Sequence, residues 1–267
     1  MARSVPALGL CLALVAPARA LDITACDQRV PDHEHAVLQL DLNCSGPGTC
    51  LEDPSMHCDF NSQCPSLVCE RGAVNLGKRA SLDLNGHSIV ASRVGVFCVG
   101  RPPCYVTGPG RLVGGNDGVL GRGRLVVTDV DIEDSVRALE SAHAPTGLVM
   151  ATRVTIRRCQ VAIDAQRIRA TDVIVQDGTP PSNSPPCSGF CAGAPSFGVV
   201  RGSGVTIIDG PAYGIAAARI ILEGSTITGN SPRDLISLKR PILIDSICGR
   251  SEVVDSGGAS WGVCTND

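Results

Sequence analysis

Apolar residues two apart, separated by a polar one, recur along most of the chain: Leu82/Leu84, Val106/Gly108, Val130/Ile132, Val154/Ile156, Val173/Val175, Val205/Ile207 and Ser225/Ile227. The steps between first members are 24, 24, 24, 19, 32 and 20 residues. Alternation of this kind has the period of a half-buried strand, since successive side chains of an extended chain point to opposite faces. A second column stands five residues earlier, at Leu125, Val149, Ile168, Val200 and Ile220, as a strand preceding the first across a tight bend would place it. After each pair comes a turn signal, at Asn85-Gly86, Asp134, Asp177-Gly178, Asp209-Gly210 or Gly229-Asn230. A small-plus-aliphatic element follows: Ala138-Leu139, Ala162-Ile163, Gly198-Val199, Gly214-Ile215 and Leu235-Ile236.

Each repeat therefore reads strand, bend, strand, turn, strand, and the pattern predicts an all-β, right-handed parallel β-helix of about 7–9 coils. Leucine-rich repeats share the period range, but no Leu-x-x-Leu-x-Leu frame recurs, and a Greek-key sandwich has no need of one constant register. End coils of a solenoid need caps. The expected organisation is a signal peptide over 1–20, an N-terminal cap with a Cys-rich loop over 21–71, the helix over 72–240 with an inserted loop at 179–195, and a C-terminal cap over 241–267.

The first twenty residues carry Arg3, an apolar run from Val5 to Val15 and Ala18-Arg19-Ala20, the three parts of a secretory signal, which predicts a secreted or periplasmic product. Fourteen cysteines agree with an oxidising compartment. Their spacing suggests Cys26 with Cys44, Cys98 with Cys104, Cys187 with Cys191 and Cys248 with Cys264, with Cys50, Cys58, Cys64 and Cys69 pairing among themselves or, less in keeping with export, holding zinc. Cys159 is left over, and its place in a turn region suggests a buried, inert thiol. Only 3% of residues are aromatic, so the core must be aliphatic. A formal charge of −3 with scattered Lys and Arg excludes nucleic acid as a partner, and no later run is apolar enough to span a membrane; a monomer is expected.

From LDLNGHSI through TITGNS the chain resembles the pectate-lyase-like right-handed β-helix superfamily, over roughly residues 72–245. The resemblance implies a solenoid that binds or cleaves polysaccharides, but the Leu-Asp-Leu-Asn-Gly-His phrase marks the fold and not an active site. Of the catalytic signatures sought, the Asp-Pro-His-Asp of epimerase-like members is absent, and only Arg167-Ile168-Arg169 approaches one of the polygalacturonase-like motifs.

Residues between the inward pairs must face outward. On this register Asp129, Asp131 and Glu133 share a patch with Arg153, Arg157, Asp172 and Tyr105. Such a patch offers carboxylates for general-base work or for calcium at Asp129 and Asp131, and arginines to grip a sugar carboxylate. No cofactor is required. Stacked opposite charges also do no more than solubilise a sheet face and hold its register. Phe190, read as the tip of the inserted loop, is a candidate for stacking on a sugar ring; Asp32-His33-Glu34-His35 and His87 read as cap and turn residues. The leading expectation is an exported protein binding an extended polysaccharide along its parallel sheet, with a lyase or hydrolase and a structural or adhesive surface protein as alternatives.

Overall fold

The computed structural model describes residues 20–44, 48–50, 57–58, 69–70, 72–99, 103–142, 146–180, 187–192 and 198–267, with the backbone alone for 48–50, 57–58 and 69–70. The described residues are all β, without helix, and form a parallel β-solenoid of about 7 turns. Each full coil contributes two short strands to a seventeen-stranded sheet that is folded along a bend, and one strand to a ten-stranded sheet that closes the section. In one coil these are Leu148–Thr152, Thr155–Arg157 and Val161–Asp164. A small antiparallel sheet of Gly48–Cys50, His57–Cys58 and Cys69–Glu70 stands apart from the stack.

The apolar columns expected from the repeat stack in register. Leu125, Val149, Ile168, Val200 and Ile220 pair in sequence across one face. Ile132, Ile156, Val175, Ile207 and Ile227 pair across the other. All ten are buried. Burying each aliphatic side chain contributes about 1.5–3 kcal/mol, and in a solenoid that gain comes only from the neighbouring coil.

The earliest repeats are displaced by one strand. Leu82 pairs with Val106 as expected, but Val106 pairs with Val127, whereas Leu112 pairs with Ile132 and with Ile89. The cause is Gly108-Pro109-Gly110, which reads as a turn in sequence. In the structure it lies inside the strand Cys104–Val113, where the pairing shifts between Thr107 and Gly110. A side chain at Gly108 would strike the Asp129 carbonyl oxygen at 1.7 Å, so the bulge admits only glycine there.

The bends are built from left-handed residues. Asp129, Arg153 and Asp172 have φ of 59°, 50° and 52°, and Gly204 and Gly224 continue the column. A second column runs Gly114, Asp134, Arg158, Asp177, Asp209 and Gly229. Glycine takes this conformation freely and Asp tolerates it, which accounts for most of both columns. The first column is tied along the axis by backbone bonds: the Arg153, Asp172 and Gly204 amides donate to the carbonyls of Thr171, Ser203 and Glu223 at 2.9–3.0 Å.

The expected insertion contains a strand. Cys187–Cys191 belongs to the ten-stranded sheet, with Phe190 paired to Ile163 on one side and Ile215 on the other. Gly189-Phe190 is thus the small-plus-aliphatic element of its coil, and Val199 instead begins the following strand. Phe190 is 0% exposed and fills the core column.

Disulfides join Cys26 to Cys44, Cys98 to Cys104, Cys187 to Cys191 and Cys248 to Cys264. The pairing expected among Cys50, Cys58, Cys64 and Cys69 and the signal sequence lie outside the described side chains. Cys159 is free and buried, and burial pushes its thiol up to about 12, leaving almost no thiolate at neutral pH. No helix among the described residues is long and apolar enough to cross a membrane.

Candidate functional site

The outward patch expected around Asp131 is divided by the bend. Asp129, Arg153 and Asp172 are bend residues rather than neighbours on a strand face, and the Arg153 guanidinium donates two hydrogen bonds to Asp129, at 2.6 and 2.7 Å. Tyr105 aligns with Ser81 and Val126, so it lies on the far side of the bend from Asp131 and Glu133. Phe190 is inside the core, unable to stack on a ligand. Asp131 is exposed between Arg111 and Thr155.

Glu133 is the centre of what remains. Its side chain is only 7% exposed and is held by Arg111 at 2.5 Å, Arg158 at 2.5 Å and Arg157 at 3.6 Å. Arg158 also forks onto Asp134, at 2.7 and 2.9 Å. Burial works against ionising Glu133, but the bonds from Arg158 and Arg111 outweigh it and hold its carboxyl below the ordinary range. Arg153 does the same for Asp129, and Arg158 for Asp134. These carboxylates are consumed by their own arginines, which leaves them poor bases and poor ligands for a cation. Among the described residues no three acidic, His or Cys side chains converge in a way that could hold a metal ion, Asp129 and Asp131 included.

A different site lies on the ten-stranded sheet. Its strands Val94–Cys98, Asp117–Gly121, Arg137–Ser141 and Val161–Asp164 are successive rungs. Their register sets Asp117 beside Arg137, and it places Phe97, Leu120, Glu140 and Asp164 in one outer column. Val94, Phe97 and Leu120 form a small apolar cluster separate from the main core. Beside it opens a cleft of about 680 Å³, lined by these three residues, by Asp117 and Glu140, and by the guanidinium-bearing Arg93, Arg122 and Arg137.

Arg137 donates to Asp117 at 2.7 Å and pairs with Glu140 at 3.0 Å. The Asp117 side chain is 4% exposed and that of Glu140 14%. Burial, then the Asp117 charge, push the Glu140 carboxyl up to about 8, and the two carboxyls are hydrogen-bonded to each other. Asp164 is also raised, by burial first. Glu140 therefore holds its proton well above the ordinary carboxyl range, although the Arg137 guanidinium contacts it.

Sequence reasoning passed over this cleft. Asp117 stands in a Gly-rich stretch, GGNDGVLG, where Gly118-Val119 is the same small-plus-aliphatic pair as Ala138-Leu139. Recognising it would have put Asp117 just before that pair and Glu140 just after its successor, one rung apart.

No protein-family model, no curated protein and no solved structure matches the chain, so its fold is established by the coil geometry alone.

Proposed function

We propose that the chain is an exported solenoid that binds a glycan without cleaving it, and that the glycan enters the cleft over Val94, Phe97 and Leu120. The cleft carries this reading. It combines an apolar floor for the C–H face of a sugar with guanidinium donors and carboxyl groups that offer hydroxyls both donors and acceptors. Export is supported by the N-terminal signal pattern and by four disulfides. The resemblance of the coil motifs to the pectate-lyase-like superfamily adds a prior for polysaccharide and nothing about the site.

Binding is favoured over turnover by the carboxyl geometry. A glycosidase sets its two carboxyls about 5–5.5 Å or about 6.5–9.5 Å apart, on either side of the scissile bond. Asp117 and Glu140 are both held by the Arg137 guanidinium, at 2.7 and 3.0 Å, and so stand together rather than on either side of a bound sugar. The arginine-saturated bend, by contrast, supports a structural role for that corner of the solenoid.

The test is retention of the oxidised protein on immobilised acidic and neutral polysaccharides, with calcium and with chelator, while reducing and unsaturated ends are assayed in the eluate. Arg122→Ala at the rim should weaken retention about ten-fold, the worth of one or two charged hydrogen bonds. Asp131→Ala should leave retention unchanged, and no new ends should appear. Loss on Asp131→Ala with retention by Arg122→Ala would return the site to the long sheet, and product formation would make the protein an enzyme.

A further inference from the structure

We infer that Glu140 is a proton-operated gate of the cleft: neutral, it bridges Asp117 and keeps the cleft closed around its ligand, and ionised, it expels the ligand and loosens the rungs beneath. The inference rests on the reading of the cleft as the glycan site.

Three carboxyls from three successive rungs, Asp117, Glu140 and Asp164, face one outer surface, and the guanidinium that contacts Asp117 and Glu140 is that of Arg137, on the middle rung. Adjacent rungs are about 4.8 Å apart, so Asp164 stands directly beside Glu140 on the next rung, while Asp117, beside Arg137 on the rung before, shares with Glu140 the guanidinium that both acids contact. Arg93 and Arg122 also line the cleft among the described residues. Neutral, Glu140 adds no charge beside Asp117 and Asp164 and has a proton to donate to a neighbouring carboxyl oxygen. Ionised, it loses that hydrogen bond and adds a buried negative charge next to two other acids. Repulsion of this kind is relieved only by admitting water, and a cleft that admits water at its floor no longer holds a sugar face against Leu120 and Phe97.

The titration falls where this would matter. The folded Glu140 carboxyl is pushed up to about 8 from an ordinary 4.5. Over that interval the unfolded chain has already released the proton and the folded chain keeps it. Stability therefore falls as pH rises from about 4.5 towards about 8, and levels off above.

The experiment compares the full oxidised chain with Glu140→Gln and Asp164→Asn, measuring polysaccharide retention and melting temperature from about pH 6 to about pH 10, a range that brackets the Glu140 midpoint. The native protein should lose retention about ten-fold across a midpoint near 8. Glu140→Gln should retain the polysaccharide equally at both ends and lack the accompanying fall in melting temperature; Asp164→Asn should fold normally and move the midpoint to lower pH, because ionised Glu140 then has one repelling neighbour fewer. If Glu140→Gln keeps the native pH dependence, or if retention by the native protein does not change with pH, the gate is wrong while the glycan reading stands. If nothing is retained at any pH, the glycan reading fails, and a native melting slope that persists in Glu140→Gln would remove the proton-holding cluster as well.

Discussion

Two acid–arginine clusters on the same solenoid behave in opposite ways. At one bend Asp129 meets Arg153 and at the other Glu133 and Asp134 meet Arg111, Arg157 and Arg158, and all three carboxyls are held below their ordinary range. On the ten-stranded sheet Asp117 and Glu140 contact Arg137 with Asp164 on the next rung, and both Glu140 and Asp164 are raised. Burial pushes both carboxyls up; at Glu133 the bonds from Arg158 and Arg111 outweigh it, and at Glu140 the Asp117 charge adds to it. The ratio of guanidinium to carboxyl decides the direction. Where arginine is in excess the cluster is an inert rivet, and where acid is in excess a proton must be kept, which is the condition found at sites that do chemistry or bind under control.

The largest effect should come from removing the cleft's contacting guanidinium. Arg137→Leu leaves Asp117 and Glu140 without their cation, and should cost about 2–4 kcal/mol in denaturant unfolding, below the full cost of stripping a fully buried pair because Arg137 is partly exposed. A cost near zero would mean that the acids are already neutral and the contrast is false. Next is Glu133→Gln, which removes the anion from beneath three half-exposed arginines; about 1–2 kcal/mol is expected, since hydrogen bonds to charged groups are lost but the guanidiniums remain hydrated. The same variant sharpens the comparison through pH. Carboxyls held low contribute stability that is present above their unfolded values and disappears as pH falls through the folded ones, so Glu133→Gln should flatten the acid limb of the melting profile and leave the limb between about 4.5 and 8 untouched. Smaller still is Arg153→Ala, whose pair with Asp129 is exposed to water; its melting temperature should match the native protein in high salt. Least is Cys159→Ser, expected to change no binding property, and alkylation of native Cys159 should be undetectable until the chain is unfolded.

The long sheet was readable because its signal is a period. Columns such as Leu125 to Ile220 and Ile132 to Ile227 obey one alternation and one offset, and stacking demands both. Reading failed where local composition contradicted the role. Gly108-Pro109-Gly110 has the residues of a turn but is a bulge within a strand, and it moved the earliest register by one strand. Pro-, Ser- and Gly-rich surroundings hid Cys187–Cys191, and so made the fully buried Phe190 look like a loop tip. The cleft was harder for another reason: Asp117, Glu140 and Asp164 are ordinary charged residues until three rungs are set side by side, and juxtaposition across coils is a property of register, not of any short motif. The paired disulfides were legible from spacing because each closes a short loop at a coil or cap.

The small residues of the ten-stranded sheet, Gly95, Gly118, Ala138, Ala162, Gly189 and Gly214, occupy one position in six successive rungs. A methyl group at Gly118 would meet the Ala138 carbonyl oxygen at 2.7 Å, and one at Gly189 would meet that of Gly214 at 1.9 Å. Every rung thus presents the next with the same template. A tandem duplication of one coil would find its seat already cut and lengthen the rod by about 4.8 Å, which lets such a gene change the reach of its product without redesigning its core.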